Sequence, residues 1–214
     1  MTIRHIGIDL GGSNLRAAAF APDDHTQLDH HREPVGEARD PDSIVERVAA
    51  LAELLAKDAE APVPVGVGIA AMLRDRQGTV ANSPHLRWRN VPFGRQLARR
   101  LGPRFAVGVY NDVNAIVWGE AVAGSARGCR DVLGVYVGTG IGGGVIAGGL
   151  LVEGASNCAG EIGHMKVRWD EGAKPCACGQ RGCVEAYVGG SYLDRRIARE
   201  VPAKSLAVTL AGGR

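Results

Sequence analysis

The sequence predicts an α/β protein, and three observations point there. Short apolar runs of strand length alternate with segments of helical period. Two glycine-rich turns each join a pair of those runs. The composition is that of a globular chain, 45% hydrophobic and 22% charged over 214 residues. This length is enough for one substantial core or two small lobes.

The elements follow in order. His5 to Leu10 and Leu15 to Phe20 read as strands, and Gly11-Gly12-Ser13-Asn14 between them reads as a hairpin turn. Asp40-Pro41 supplies an N-cap and a first-turn proline. Ile44, Val48, Leu51 and Leu55 then recur at helical spacing, which predicts a helix through Ala59. Val63 to Ala70 reads as a buried strand. Phe93 to Leu101 is a helix with basic residues outward, and Phe105 to Tyr110 is a strand. Asn111-Asp112 ends that strand and precedes a helix over about Val113 to Ala123, where Asp112 fits an N-cap. Val132 to Val137 and Gly144 to Ala147 flank the second glycine-rich turn, Gly138 to Gly143. Val184 to Glu200 reads as helical despite Gly189-Gly190.

A formal net charge of +2 argues for neither nucleic acid nor membrane as a partner. No segment approaches the roughly 20 apolar residues that span a bilayer. The apolar run after Met1 is too short and glycine-broken for a signal peptide, so a cytoplasmic location is expected. In that reducing setting, five cysteines point to metal or core positions rather than disulfides. Neither glycine turn is followed by a helix, so a Rossmann fingerprint and a P-loop are both excluded. A tight hairpin would explain one such turn. Two in one chain, the first beside Asp9, favour phosphate binding.

His164, Cys176-x-Cys178 and Cys183 supply four soft ligands, with three cysteines inside eight residues of a glycine-rich loop. That donor set suits a closed, tetrahedral, structural Zn²⁺ site. Cys129 and Cys158 fit ordinary core positions.

A family likeness rests on five stretches. They are Ile8-Asp9-Leu10-Gly11-Gly12-Ser13-Asn14, Asn111-Asp112-Val113-Asn114-Ala115, and Gly138-Thr139-Gly140-Ile141-Gly142-Gly143-Gly144. The others are Gly160-Glu161-Ile162-Gly163-His164, and Cys176-Ala177-Cys178-Gly179-Gln180-Arg181-Gly182-Cys183-Val184-Glu185. Together they resemble the ROK family of repressors and kinases, bacterial glucokinase type, from the first strand to about Ser191. The resemblance implies an actin-like ATPase (ribonuclease H-like) fold, with two lobes and an active-site cleft between them. It implies an N-terminal lobe over residues 1–110. A second lobe, incomplete, would start at 111 and run to 214, with its zinc loop at about 158–185. Family kinases run about half as long again. They also carry a Pro-Gly where this chain has Ala70-Ala71-Met72.

The activity implied is ATP-dependent phosphorylation of a hexose, glucose first, at the 6-hydroxyl. The resemblance places Asn111, Asp112, Glu161, His164 and Glu185 around the sugar, with Asp112 as general base. It gives Asp9 to Mg²⁺ through water, and Gly11, Gly12, Ser13 and Asn14 to the phosphates of ATP, with Thr139 and Gly140 opposite. Zinc would brace Glu161 and Glu185 from either side. Arg99-Arg100 and Arg195-Arg196 read as solvated helix faces. Many family members are homodimers. Two alternatives stand beside the kinase: a sugar-sensing regulator, which would need a DNA-binding domain ahead of the His5 strand, and an inactive zinc-binding fragment.

Overall fold

The computed structural model describes residues 4–57 and 59–200. The chain forms two compact units, Met1–Val132 with Val145–Ala159, and Leu133–Gly144 with Gly160–Arg214. The boundary expected between 110 and 111 falls inside the first unit, and residues 201–214 of the expected second lobe lie outside the described residues.

The chain opens with β1 (His5–Leu10), β2 (Asn14–Phe20) and β3 (Gln27–Pro34), then α1 (Pro41–Leu55) and β4 (Val63–Ile69). Next come β5 (Met72–Leu73), β6 (Val80–Ser83), β7 (Trp88–Val91), α2 (Phe93–Leu101), β8 (Phe105–Asn111) and α3 (Asp112–Ala123). After these follow β9 (Val132–Val137), β10 (Ile141–Ala147) and β11 (Leu150–Leu151). A 3-10 turn at Ile162–His164, α4 (Glu185–Val188) and α5 (Gly190–Glu200) complete the described chain.

The main sheet of the first unit has the order β3-β2-β1-β4-β8. β1 pairs antiparallel with β2 and parallel with β4, and β4 pairs parallel with β8. Alternate residues of β1 (Ile6, Ile8, Leu10) and β4 (Val63, Val65, Val67, Ile69) are buried. The apolar stripe of α1 packs with them, using Ile44, Val48, Leu51 and Leu55. Each such side chain contributes about 1.5–3 kcal/mol when fully buried, so this layer stands on burial alone. The α1 N-terminus is as expected: the Asp40 carboxylate accepts the Ser43 amide at 2.9 Å, and Pro41 follows.

Several boundaries differ from expectation. α1 stops at Leu55 instead of Ala59, where its apolar period ends and Arg104 takes the carbonyls of Ala56 and Ala59. β10 starts at Ile141, so the second glycine turn is only Gly138-Thr139-Gly140, and Gly142 to Gly144 are strand. The expected helix over Val184 to Glu200 is two helices. Gly189 is extended (φ −67°, ψ 144°), and the amides of Gly190 and Ser191 donate to the carbonyls of Gly138 and Thr139. The turn thereby satisfies the first amides of α5, which a continuous helix would not leave free. Neither β3 nor the small β5-β6-β7 sheet was anticipated. β3 is a polar edge strand, and β5 to β7 are too short for a hydrophobic period. Among the described residues no helix is long and apolar enough to cross a membrane.

Candidate functional site

In the first unit the candidate residues gather at one end of the main sheet. Asp9 stands opposite Gly68 of β4, and Gly68 stands opposite Tyr110 of β8. Asp9 and the Asn111-Asp112 pair therefore emerge together at the carboxyl ends of parallel strands, where α/β folds present ligand-binding groups. Gly11 closes the first glycine turn by donating its amide to Asn14 O at 3.0 Å. Asp9 Oδ2 lies 2.9 Å from Arg16 Nη1, its cross-strand neighbour, with both side chains about half exposed. An exposed pair of this kind is worth little to stability.

Asn111 caps α3: its Oδ1 accepts the Asn114 amide at 3.1 Å and its Nδ2 donates to Ala71 O at 3.2 Å. This corrects the N-cap expected at Asp112, which is the first residue of the helix instead. The Asp112 carboxylate accepts the Val113 amide at 2.9 Å. Burial pushes its pKa up, and the charge of Asp9 adds to the rise. The Val113 amide and His85 oppose it without cancelling it. The result is a carboxylate more basic than usual at the head of a helix.

Sequence reasoning missed His85. It lies against Gly12, where a Cβ would meet its Cβ at 2.8 Å and its Nδ1 at 3.2 Å. Nothing in the sequence signals it, because the contact joins a hairpin to a turn more than seventy residues on.

In the second unit the four predicted metal ligands converge. One ligand atom from each of His164, Cys176, Cys178 and Cys183 lies within 4.8 Å of the others. Cys176 Sγ is 3.7 Å from His164 Nδ1, and the sulfurs of Cys178 and Cys183 are 3.8 Å apart. A tetrahedron with metal–sulfur bonds near 2.3 Å has edges of about 3.8 Å. The donor set and spacing thus fit zinc. His164 Nε2 faces away toward Glu161, 3.9 Å from its Oε2, an outer carboxylate of the kind that orients a ligating histidine.

The protons on these thiols already compete. Burial pushes the Cys176 thiol up to about 11. Burial also raises Cys178, but the Gln180 amide, its two cysteine neighbours and Lys166 outweigh it and leave that thiol below the ordinary range. Lys166 Nζ is also 3.5 Å from Cys183 Sγ. The loop returns on itself at Gly182, whose φ of 79° favours glycine and whose Cα faces Arg168 O too closely for a Cβ.

The second glycine turn joins this cluster. Glu185 Oε2 accepts the Ile141 amide at 2.8 Å and approaches the Cα face of Gly140, while Oε1 lies 3.8 Å from Cys176 Sγ. Thr139-Gly140, Glu161, His164, Glu185 and the cysteines are therefore one constellation. The fold gathers the candidate residues into two sets, one in each unit. Cys129 and Cys158 are not the core residues expected: Cys129 is exposed and Cys158 half-buried. Arg100 is more than a solvated cation, pairing with Glu46 and Glu53 of α1 at 2.7 and 2.8 Å.

The model for the ROK family matches residues 5–209. A glucokinase of Streptomyces coelicolor is 35% identical over 190 residues, covering 89% of this chain and 57% of the relative. A glucokinase of Thermotoga maritima is 35% identical over 214 residues, covering 98% and 65%. The chain therefore spans less than two thirds of the length of these curated relatives. Among solved structures, a ROK family glucokinase from Streptomyces griseus, in complex with glucose and AMPPNP, superposes with a TM-score of 0.78 at 33% identity. That match covers 98% of this chain and 65% of the other. The fold is the expected α/β, actin-like ATPase fold, and with a family match across nearly the whole chain, the protein belongs to the ROK family.

Proposed function

We propose that this chain carries the catalytic groups of an ATP-dependent hexose kinase, glucose first, transferring the γ-phosphoryl group to the 6-hydroxyl. The observation that carries it is Asp112, released from capping duty by Asn111 and held at a strand end beside Asp9. Phosphoryl transfer is loose in its transition state, so positioning matters more than base strength. Asp112 accepts the proton of the attacking hydroxyl. Its raised pKa makes its carboxylate a better proton acceptor than an ordinary exposed aspartate.

Asn111, Glu161, His164 and Glu185 are the proposed sugar-binding partners of Asp112. Asp9 is the proposed water-mediated ligand of Mg²⁺. Gly11, Gly12, Ser13, Asn14, Thr139 and Gly140 are the proposed phosphate contacts for ATP. Zn²⁺ on His164, Cys176, Cys178 and Cys183 supplies rigidity rather than chemistry, fixing the 3-10 turn that carries Glu161 and the loop that ends at Glu185. A homodimer in the cytoplasm, with neither nucleic acid nor membrane as partner, completes the reading.

The test is a coupled kinase assay over a hexose panel, on this chain and on a version lengthened beyond Arg214. Turnover on glucose is expected, and Asp112→Asn should lower kcat by about a hundredfold or more with hexose affinity nearly unchanged. Absence of turnover in both versions on every hexose overturns the kinase. Sugar binding without turnover points instead to a sensor.

A further inference from the structure

The His85 contact has no role in the kinase assignment, and its setting is unusually well built. His85 lies in the tight link between β6 and β7, and its neighbours are fixed. Ser83 is fully buried and its hydroxyl donates to Ala70 O at 2.9 Å. Leu86 and Trp88 are buried at 1% and 3% exposure, and Trp88 stacks at 5.4 Å on Phe93 of the core. The Arg39 guanidinium donates to the carbonyls of His85 and Gly36, and the Trp88 indole donates to Arg39 O at 2.5 Å. Within this fixed link the His85 side chain is exposed, and among the described residues neither of its ring nitrogens has a hydrogen-bond partner.

The imidazole meets the first glycine turn at Gly12, which only a residue without a Cβ allows. The amides of Gly12 and Ser13 in that turn have no acceptor among the described residues. Free backbone donors in a concave turn favour an anion. Arg16 and Arg32 hold the flanks of the same hairpin, against Asp9 and Asn14. His85 also lies close enough to Asp112 for its charge to be felt there.

We propose that His85 is a phosphate ligand of the first glycine turn. Its imidazole closes the turn from outside and donates a hydrogen bond to an oxygen of the polyphosphate seated over Gly11, Gly12 and Ser13. The fixed backbone makes the contact cheap in entropy, because only the ring torsions remain to be ordered. The assignment rests on the proposed phosphate role of this turn, but not on turnover.

The probe is inorganic tripolyphosphate with Mg²⁺, titrated calorimetrically into the wild-type chain, His85→Ala and His85→Asn, all zinc-loaded. Loss of a charge-assisted donor predicts about tenfold weaker binding in His85→Ala. His85→Asn keeps a donor at this place and should stay within about threefold of wild type. Zinc content and melting temperature should match wild type in both, and glucose affinity should not change. Wild-type affinity in His85→Ala overturns the assignment, and so does absence of tripolyphosphate binding by the wild-type chain. Failure of the kinase reading looks different: tripolyphosphate binds through His85, yet no hexose is turned over.

Discussion

The two units of this chain are built on opposite principles. The first buries a continuous apolar cluster running through β1, β4, β8, α1 and α2. The second has a cluster of Cys176, Cys183 and Ala186, with Tyr187 and Tyr192 packed against it. At about 25 cal/mol per Å² such a small cluster falls far short of the roughly 1.5 kcal/mol of conformational entropy that each ordered residue costs. What the second unit lacks in burial it replaces with ligand atoms at tetrahedral spacing. Both arrangements serve the same end, holding carboxylates in place. One does it with a sheet, the other with a cluster of side chains whose donors suit a metal.

Metal removal should break the comparison most sharply. Apparent zinc binding at such sites amounts to about 10–16 kcal/mol near neutral pH, more than a typical domain's whole stability. A strong chelator, or Cys183→Ser, is expected to abolish amide protection from Gly160 to Val188 while leaving β1, β4 and β8 protected. Hydrogen exchange read by mass spectrometry resolves the two regions. Unchanged protection around Glu161 and Glu185 after verified metal loss would remove zinc from the architecture.

The converse cut falls on the first unit. Phe93 is fully buried and touches Trp88, so Phe93→Ala should cost about 3–5 kcal/mol through lost transfer energy and the cavity left behind. Denaturant unfolding followed in β4 and β8 measures it, and zinc stoichiometry is expected to stay at wild type. A loss of zinc alongside the stability change would mean the two units do not stand independently.

The same contrast explains what could be read from the sequence. The second unit's site was legible because metal ligation is a matter of residue type and local spacing. His164, Cys176, Cys178 and Cys183 lie within twenty residues and meet as expected. The first unit's strands and helices were legible from apolar period and from the Asp40-Pro41 cap. Its site was only half legible. The sequence put the cap at Asp112, and only the backbone at the end of β8 decides that Asn111 takes the Asn114 amide instead. His85 was invisible, since a long-range contact with Gly12 leaves no periodic trace. The break at Gly189 depended on the carbonyls of Gly138 and Thr139, a partner some fifty residues away.

The finest contrast lies within the first unit, between its stability and its chemistry. A buried carboxyl whose pKa is raised prefers its proton in the folded state, so ionisation of Asp112 opposes folding. The penalty is absent below the unfolded carboxylate range near pH 4, grows as pH rises from there toward the raised native value, and is constant above it. Asp112→Asn keeps an oxygen for the Val113 amide but carries no charge. It should therefore melt at a slightly higher temperature than wild type at pH 7, with the gap closing toward pH 4. Because acid also strips thiolate-bound metal, the melt is best followed by protection of β1, β4 and β8 rather than by a global signal. Stabilisation together with lost turnover identifies a carboxylate kept at a cost for catalysis. Equal melting temperatures across the whole pH range would show that burial does not strain Asp112, and its place at the head of α3 would then be structural.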